Sequence, residues 1–281
     1  MNEGESLDLG RIRTGLEDVL AEAERVLAAR RGLSPAELGT REKGPGDFVT
    51  RVDGELEELF RRRLCEGLCP AGFLGEESGL AGDPRGLLWV VDPIDGTTNF
   101  SRHLEPFGFS LALVEGGIPL VGGLSIPGQG WRLSAARGQG LTCRGESLRL
   151  APATLDVRAL LGLGVMEPQE YGGWVSQLAA PGCRVRFLGS AVAHLAGCAL
   201  GRLDLAAQAR TRVWDVAAGI LAVVEAGGRA CRFDGSPLLP FREEELAGEG
   251  LGFLAGSGQA VRQALALLHG SDPGDHPPSA R

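Results

Sequence analysis

The chain has 281 residues, of which 43% are hydrophobic and 23% are charged. That balance is ordinary for a globular protein and excludes a largely disordered chain. The formal net charge of −8 excludes a generally basic nucleic-acid binder or a protein that coats anionic membranes, although it leaves room for a small cationic pocket. The length allows one large domain or two closely associated halves.

The six cysteines are scattered and form neither a Cys-x-x-Cys pair nor a zinc-binding spacing with histidine. We expect structural thiols in a reducing compartment, because a chain of this length does not need disulfides. The first residues lack the layout of a signal peptide, and no apolar run reaches the roughly 18 residues of a membrane-spanning helix. These features predict a cytoplasmic protein that does not bind membranes.

Two helices are predicted in the first seventy residues. Apolar residues recur at helical spacing over about 7–30, which indicates an amphipathic helix. A polar stretch with glycine and proline follows at 31–46. We expect a mobile loop there, with one helical turn over Ser34–Glu37, whose residues have the form of a capping box. The second helix is predicted from Val52 to near Gly67.

Short apolar runs then replace the helical periodicity. The runs at 73–74 and 87–91 predict buried strands, and short strands separated by glycine turns over 107–150 predict an antiparallel meander. After 151 the chain alternates between strands and helices. The strands are expected near 160–165, 184–188, 203–207 and 252–255, and the helices near 190–201, 215–226 and 258–269.

This order of elements predicts a mixed α/β protein built of stacked layers. Residues 1–150 would supply the first helices and the antiparallel sheet. Residues 151–270 would form an α/β half, and residues 271–281 a disordered tail.

Acidic residues follow the predicted strands. Glu76 comes just after the run at 73–74, Asp92 and Asp95 come just after the run at 87–91, and Asp215 opens a helix far downstream. Carboxylates crowded into one crevice stay ionised only if cations neutralise them, and all-oxygen ligands favour Mg²⁺ or Mn²⁺ over zinc. Two or three such ions a few ångström apart would serve phosphoryl transfer.

A possible phosphate cradle follows Asp95. Gly96, Thr97 and Thr98 would present free backbone N–H groups at the start of a helix. Each feature also has a simpler explanation: Asp-Gly is a common turn, Asp53 and Asp215 could be helix N-caps, and an isolated Glu76-Glu77 pair is usually solvated surface.

Taken together, the motifs resemble those of the inositol monophosphatase family, the Mg²⁺-dependent, lithium-sensitive phosphatases. The similarity covers about residues 7–270. Four motifs occur in the family's order: KGPGDFVTRVD at 43–53, GEES at 75–78, DPIDGTTNF at 92–100, and WDVAAG at 214–219 running into EAGG at 225–228. Shorter supporting matches are GQG at 138–140 and GSA at 189–191.

The resemblance implies a layered αβαβα sandwich of the inositol monophosphatase and fructose-1,6-bisphosphatase type, usually a homodimer. It also implies two or three Mg²⁺ ions, which Mn²⁺ could replace. Residues 1–150 would then carry most of the metal ligands, and residues 151–270 would complete the site. The implied ligands are Glu76, Asp92, the carbonyl of Ile94, Asp95 and Asp215.

The same resemblance implies roles in catalysis and binding. Glu76 would hold the attacking water, Thr97 would orient it, and Asp53 would accept its proton. Lys43 corresponds to a position on the mobile loop that borders the site, and it is the only lysine in the chain. The implied substrate contacts are Lys43, Asp95, Gly96, Thr97, Thr98, Gly189, Ser190, Ala191 and Gln208.

One substrate position departs from the family. Members that hydrolyse inositol phosphates carry a glutamate seven residues before the Trp-Asp aspartate, and this chain has Gln208 there. Glutamine can accept a hydrogen bond from a hydroxyl through its carbonyl, but it is uncharged and also donates. With Arg210 and Arg212 nearby it could suit a substrate with a second anionic group, unless those arginines face solvent or a partner subunit.

The leading hypothesis is therefore a Mg²⁺-dependent phosphomonoesterase that acts on inositol 1-phosphate or a related sugar phosphate, by direct attack of a metal-activated water. The same chemistry on fructose 1,6-bisphosphate, a 3′-phosphoadenosine nucleotide, histidinol phosphate or NADP is the first alternative. A non-catalytic regulatory protein is the second, and the intact set of acidic residues disfavours it. Glu167 and Glu170 could line the pocket or lie on the surface, and the histidines receive no role.

Overall fold

A computed structural model describes residues 7–44, 47–164 and 169–270 of the chain. The predicted tail at 271–281 and Glu167 lie outside these ranges. The helices are α1 Leu9–Ala28, α2 Pro35–Leu38, α3 Arg51–Arg61, α4 Thr97–Ser101, α5 Ser176–Ala179, α6 Ala191–Ala199, α7 Val213–Glu225, α8 Glu243–Leu246 and α9 Gly258–His269. Two π-helical segments, Arg62–Leu68 and Tyr171–Val175, and one 3₁₀ turn, Pro127–Gln129, accompany them.

The strands form two large sheets and one hairpin. They are β1 Arg41–Gly44, β2 Asp47–Val49, β3 Gly72–Gly75, β4 Gly79–Ala81, β5 Leu87–Asp95, β6 Gly108–Glu115, β7 Ile118–Ile126, β8 Trp131–Ala136, β9 Gly140–Cys143, β10 Glu146–Leu148, β11 Leu160–Gly164, β12 Arg184–Arg186, β13 Leu205–Thr211, β14 Arg229–Cys231 and β15 Leu251–Gly256.

The first large sheet has eight strands in the order β10-β9-β8-β7-β6-β5-β3-β4. Strands β6 to β10 pair antiparallel with their chain neighbours, which confirms the meander predicted over 107–150. Only β3 and β5 run parallel among the described strands of this sheet. Both strands end at the same edge, so the residues that follow β3 lie beside the last residues of β5.

Helix α1 covers one face of this sheet. Asp8 caps its first turn by accepting a hydrogen bond from the Arg11 N–H group at 2.9 Å. Its apolar stripe, which includes Leu16 and Leu20, is buried against the sheet together with α3, as its amphipathic sequence predicts. The predicted helix over 7–30 is confirmed.

The second sheet has the order β12-β11-β13-β15-β14. Strands β11, β12 and β13 are parallel, and β15 pairs antiparallel with β13 and β14. Helices α6 and α7 lie between the two sheets. All nine residues of α6 and nine of the thirteen residues of α7 are buried, because both helices are mostly apolar and the two acids of α7 lie near its ends. Helices α5 and α9 cover the outer face.

The resulting layers alternate helix, sheet, helix, sheet, helix, which confirms the expected αβαβα sandwich. Residues from both sides of position 150 share the central core. All six cysteines are free. No helix within the described ranges is long and apolar enough to cross a membrane.

The interpretation of 31–46 as a mobile loop was wrong in part. The helical turn is present as α2, with Ser34 and Glu37 in a complete capping box. After it, β1 pairs antiparallel with β2, with Arg41 opposite Val49. Such a hairpin is hard to predict because one strand, REKG, has no apolar alternation. Strands β4 and β14 were missed because each has only three residues.

Two carboxylates, one half-buried and one buried, bind residues that are distant in the chain. Glu225, at the end of α7, accepts the N–H groups of Gly138 and Gly140 at 2.8 Å each. The EAGG motif therefore contacts the GQG motif. Glu245 forms a two-pronged ion pair with Arg232 at 2.6 and 3.0 Å, and only 4% of its side chain is exposed.

Candidate active site

Asp92 and Asp95 occupy the end of β5. They were expected just after the strand, but the structure extends the strand to Asp95. Asp92 lies opposite Ser110 and Asp95 opposite Gly108, so β5 has one more residue than its partner here. Such a bulge twists a strand and redirects its side chains. Two acids three positions apart, which a regular strand would send to opposite faces, can therefore approach the same crevice.

Four carboxylates share this crevice. Burial raises the pKa of Asp92 well above its ordinary value, and the charges of Glu76, Asp95 and Asp215 raise it further. Burial also raises the pKa of Glu76, and this outweighs the opposing effect of the Lys43 ammonium. Glu76 reaches the crevice because it directly follows β3, and its N–H group donates to the Val91 carbonyl on β5 at 3.2 Å. The structure thus brings the predicted acids together.

Asp95 is held by the start of α6. Its Oδ2 accepts hydrogen bonds from the Ser190 hydroxyl and, at 2.8 Å, from the Val192 N–H group. These bonds favour the ionised form, but burial outweighs them and raises the pKa of Asp95 to about 6. Ser190 and its neighbours, expected to contact substrate, therefore also position a predicted metal ligand.

Asp215 is the third residue of α7. Its Oδ2 accepts the Arg212 N–H group at 2.8 Å. The simpler explanation, in which Asp215 is itself the N-cap, was wrong, because Arg212 is the N-cap and Asp215 binds its backbone from the third helical position. Burial, followed by repulsion from Asp95, nevertheless raises its pKa well above the ordinary value. Asp215 therefore binds the backbone at the start of its helix with one oxygen and still contributes its charge to the crevice.

Asp53 and Thr97 meet beside the acidic cluster. Asp53 is fully buried on the first turn of α3, where its Oδ2 accepts the Thr50 N–H and hydroxyl groups at 2.8 and 2.6 Å. Its Oδ1 lies 3.4 Å from the Thr97 hydroxyl, which makes a shorter bond of 2.8 Å to the Ile94 carbonyl. Burial raises the pKa of Asp53 to about 7. A carboxylate with that pKa can exchange a proton near neutrality.

Lys43, on the β1–β2 hairpin, contacts the acidic cluster through Glu76. Its ammonium donates to Glu76 at 2.9 Å and to Glu77 at 2.7 Å. Partial burial alone would lower its pKa, but the two carboxylates outweigh that effect and raise it. Glu77, interpreted from the sequence as solvated surface, is therefore a partner of the only lysine, and 22% of its side chain is exposed.

The donor set fits a hard divalent cation. Within 7–44, 47–164 and 169–270 no group of three or more His, Cys, Asp or Glu side chains forms a ready-made metal site. Several carboxylate oxygens are instead engaged by Lys43, Ser190 and helix-start amides. The cluster offers only oxygen ligands, and repulsion among its acids adds to burial in raising the pKa values of Asp92 and Asp215. Mg²⁺ or Mn²⁺ accepts such ligands and would offset that repulsion.

Three of the remaining predicted contacts lie at the starts of α4 and α6. Gly96 has φ 86°, a left-handed conformation that favours glycine, and a side chain there would approach the carbonyls of Gly189 and Pro106 at 3.3 Å. Thr98 and Ala191 lie on the first turns of α4 and α6.

Gln208 lies on β13, half-buried. Its Nε2 donates to the Arg210 carbonyl at 2.9 Å, and its side chain rests over Gly164 of β11.

Sequence reasoning missed two positioning contacts. Asn99 donates to the carbonyls of Pro106 and Leu188 at 2.8 Å each, so it links the DPIDGTTNF motif to the loop before α6. Glu57 accepts two backbone N–H groups immediately after Glu76. Asn99 could have been suspected from its place inside the motif, whereas nothing in the sequence distinguishes Glu57 from neighbouring acids on α3.

The fold and the acidic crevice together define a layered α/β protein with a centre suited to hard divalent cations. Solved structures share this fold: the extragenic suppressor protein SuhB from Bartonella henselae superposes with a TM-score of 0.82 at 26% identity, covering 92% of this chain and 98% of that one. The profile of the inositol monophosphatase family matches residues 9–266. The chain belongs to the inositol monophosphatase family.

Its curated relatives carry several functional names. Nus factor SuhB of Xylella fastidiosa is 35% identical over 201 residues, 69% of this chain and 72% of that protein. Inositol-1-monophosphatase of Mesorhizobium japonicum is 35% identical over 199 residues, 69% and 75% of the two chains. Histidinol-phosphatase of Mycobacterium tuberculosis is 36% identical over 198 residues, 66% and 75%. Membership in the family therefore leaves the substrate open.

Proposed function

We propose that this protein is a Mg²⁺-dependent phosphomonoesterase that acts on inositol 1-phosphate or a related small sugar phosphate. The observation that carries the proposal is the cluster of Glu76, Asp92, Asp95 and Asp215, whose charges repel each other; Asp92 is buried and the other three acids are half-buried. The proton-accepting pair Asp53–Thr97 lies beside it. Crowding four acids into one partly buried crevice without a catalytic or binding purpose would cost stability.

The four acids and the Ile94 carbonyl would hold two or three ions. When bound, Mg²⁺ would acidify water and stabilise charge on the phosphoryl and leaving oxygens. Thr97 would donate its hydroxyl proton to Asp53 and accept a hydrogen bond from the attacking water, which orients that water toward phosphorus. The proton of the water would then pass through Thr97 to Asp53, whose raised pKa suits this step.

We infer that Gln208 binds a hydroxyl of a polyol substrate. One Gln208 N–H is engaged by the Arg210 carbonyl, so its carbonyl oxygen is the group best placed to accept from a substrate hydroxyl. Arg212 is exposed, and its guanidinium donates a hydrogen bond to the Gly248 carbonyl.

The direct test is phosphate release from a panel of esters with Mg²⁺ and with chelator. The panel contains inositol 1-phosphate, fructose 1,6-bisphosphate, 3′-phosphoadenosine 5′-phosphate, histidinol phosphate and NADP. We expect metal-dependent release, fastest from inositol 1-phosphate and inhibited by millimolar lithium. Asp92→Asn should lose more than about 100-fold in kcat/KM, because an amide cannot replace a shared carboxylate. Full activity of Asp92→Asn would contradict the metal assignment.

Substrate choice is tested by Gln208→Glu. A charged acceptor should strengthen binding of sugar hydroxyls, so the ratio of kcat/KM for inositol 1-phosphate over fructose 1,6-bisphosphate should rise by about 10-fold. Gln177→Glu adds the same charge at an exposed position of α5 and should leave the ratio unchanged. An unchanged ratio in Gln208→Glu would remove this residue from substrate recognition.

A regulatory role is the second candidate, because three relatives are named Nus factor SuhB. It would be supported if folded protein bound Mn²⁺ but released phosphate from no ester of the panel.

We also propose that the chain forms a homodimer. Tyr171 and Phe187 form an edge-to-face pair with ring centroids 5.5 Å apart, and both remain about half exposed, which suits an interface. Phe187→Glu should then convert a dimer to a monomer in light scattering.

A further inference from the structure

Helix α3 presents a row of polar side chains along the turn that contains Glu76. Asp53, Glu57 and Arg61 recur every four residues and therefore lie on one side of the helix. Asp53 faces Thr97, as described above. Arg61 donates to the Ser78 hydroxyl at 2.7 Å, and its guanidinium lies 4.0 Å from the centre of the Phe73 ring.

Glu57 lies in the middle of this row and binds backbone. One carboxylate oxygen accepts the Glu77 N–H group and the other accepts the Ser78 N–H group, each at 3.0 Å. Only 5% of Glu57 is exposed. No lysine, arginine or histidine of the described chain forms an ion pair with it. A buried carboxylate without a cation is costly unless strong hydrogen bonds compensate, so the two amide bonds are its main compensation.

Gly75 leaves the space that this contact needs. A Cβ atom at position 75 would lie 2.5 Å from the carboxyl carbon of Glu57 and 2.6 Å from both of its oxygens. Any side chain there would push the carboxylate away from the turn. The glycine of the GEES motif is therefore explained by Glu57, and the two residues form one arrangement.

The arrangement fixes the direction of Glu76. The residue before Glu76 is packed against the Glu57 carboxylate, and the two amides after it are bound by the same group. The backbone on both sides of Glu76 is thus tied to α3, the helix that also carries Asp53. We propose that Glu57 is a positioning residue that aims the Glu76 carboxylate at the metal centre. This inference rests on the proposed function.

The test measures metal binding without turnover. Mn²⁺ is titrated into the full-length protein, and free Mn²⁺ is followed by electron paramagnetic resonance. Glu57→Gln keeps the size of the side chain but replaces one acceptor by a donor, so it cannot hold both amides. We expect about a 10-fold loss of Mn²⁺ affinity, the usual cost of disturbing a residue that supports a metal ligand. Glu58→Gln, an exposed neighbour on the same helix, makes the same charge change and should bind as the unmodified protein does.

A double-mutant cycle with Glu76→Gln separates positioning from general damage. If Glu57 acts through Glu76, adding Glu57→Gln to Glu76→Gln should change Mn²⁺ affinity by less than about two-fold. An undiminished 10-fold loss in that background would overturn the proposal. So would a folded Glu57→Gln protein with unchanged affinity.

A second variant covers the case in which Glu57→Gln does not fold. Gly75→Ala displaces the carboxylate without removing it and should produce a comparable loss of Mn²⁺ affinity, with faster hydrogen exchange at the Glu77 and Ser78 amides. Unchanged affinity and exchange in that variant would overturn the inference. Absence of Mn²⁺ binding by the unmodified protein would instead overturn the proposed function and this inference together.

Discussion

His194 offers a quantitative test of how the loop before α6 is held. The histidine is 1% exposed, and its Nε2 accepts the Leu188 N–H group at 3.1 Å. Burial lowers its pKa from 6.5 to about 4. Protonation would place an N–H group opposite the Leu188 N–H group, so the neutral form is required in the folded protein.

The sign of the pH dependence follows from proton linkage. Because the folded-state pKa is depressed, the unfolded chain binds more protons as the pH falls through 6.5, and stability is lost progressively toward pH 4. For a shift of that size, the loss between pH 7.5 and pH 5 is about 2 kcal/mol. Above pH 6.5 the contribution of this residue is constant.

The assay is urea unfolding at both pH values for the natural chain and for His194→Gln, whose amide cannot titrate. The natural chain should lose about 2 kcal/mol more than the variant between pH 7.5 and pH 5. His103→Asn, which replaces an exposed histidine in a left-handed backbone conformation that asparagine tolerates, should keep the natural pH dependence. Equal pH dependence in the natural chain and His194→Gln would refute the reasoning.

Four further substitutions, one of them an exposed control, test other carboxylates of the fold. Glu245→Ala leaves the buried guanidinium of Arg232 unpaired and should lower the free energy of unfolding by about 3–5 kcal/mol in urea, whereas Glu243→Ala, in an exposed ion pair, should cost less than about 1 kcal/mol. Equal losses in the free energy of unfolding would show that burial does not determine how much these ion pairs contribute to stability. Glu225→Gln weakens two backbone hydrogen bonds of the neighbouring glycine turn and should cost about 1–3 kcal/mol and speed hydrogen exchange there; unchanged exchange would contradict this contact. Asp53→Asn should lower kcat by about 10²–10⁴-fold while Mn²⁺ affinity changes little, and unaltered kcat would exclude it as the proton acceptor.

Much of the fold could be predicted because its elements have strong local patterns. The helix α1 has a continuous apolar stripe, α6 and α7 are mostly apolar, and the meander is divided by glycine turns. The hairpin β1–β2 could not be predicted, since its pairing depends on backbone hydrogen bonds between strands whose side chains carry no alternation.

The sequence by itself determined the chemical class of the site. Motif order identified the family, and residue type alone restricted the cluster around Asp92 to oxygen ligands and hard cations. Only the tertiary structure decided which contacts direct those acids. The bulge in β5, the start of α6 on Asp95, Lys43 on Glu76 and Glu57 beneath the following turn join residues far apart in the chain. A carboxylate is chemically the same on the surface and in the core. Its pKa and its binding partners depend on its burial and orientation, which only the folded chain determines.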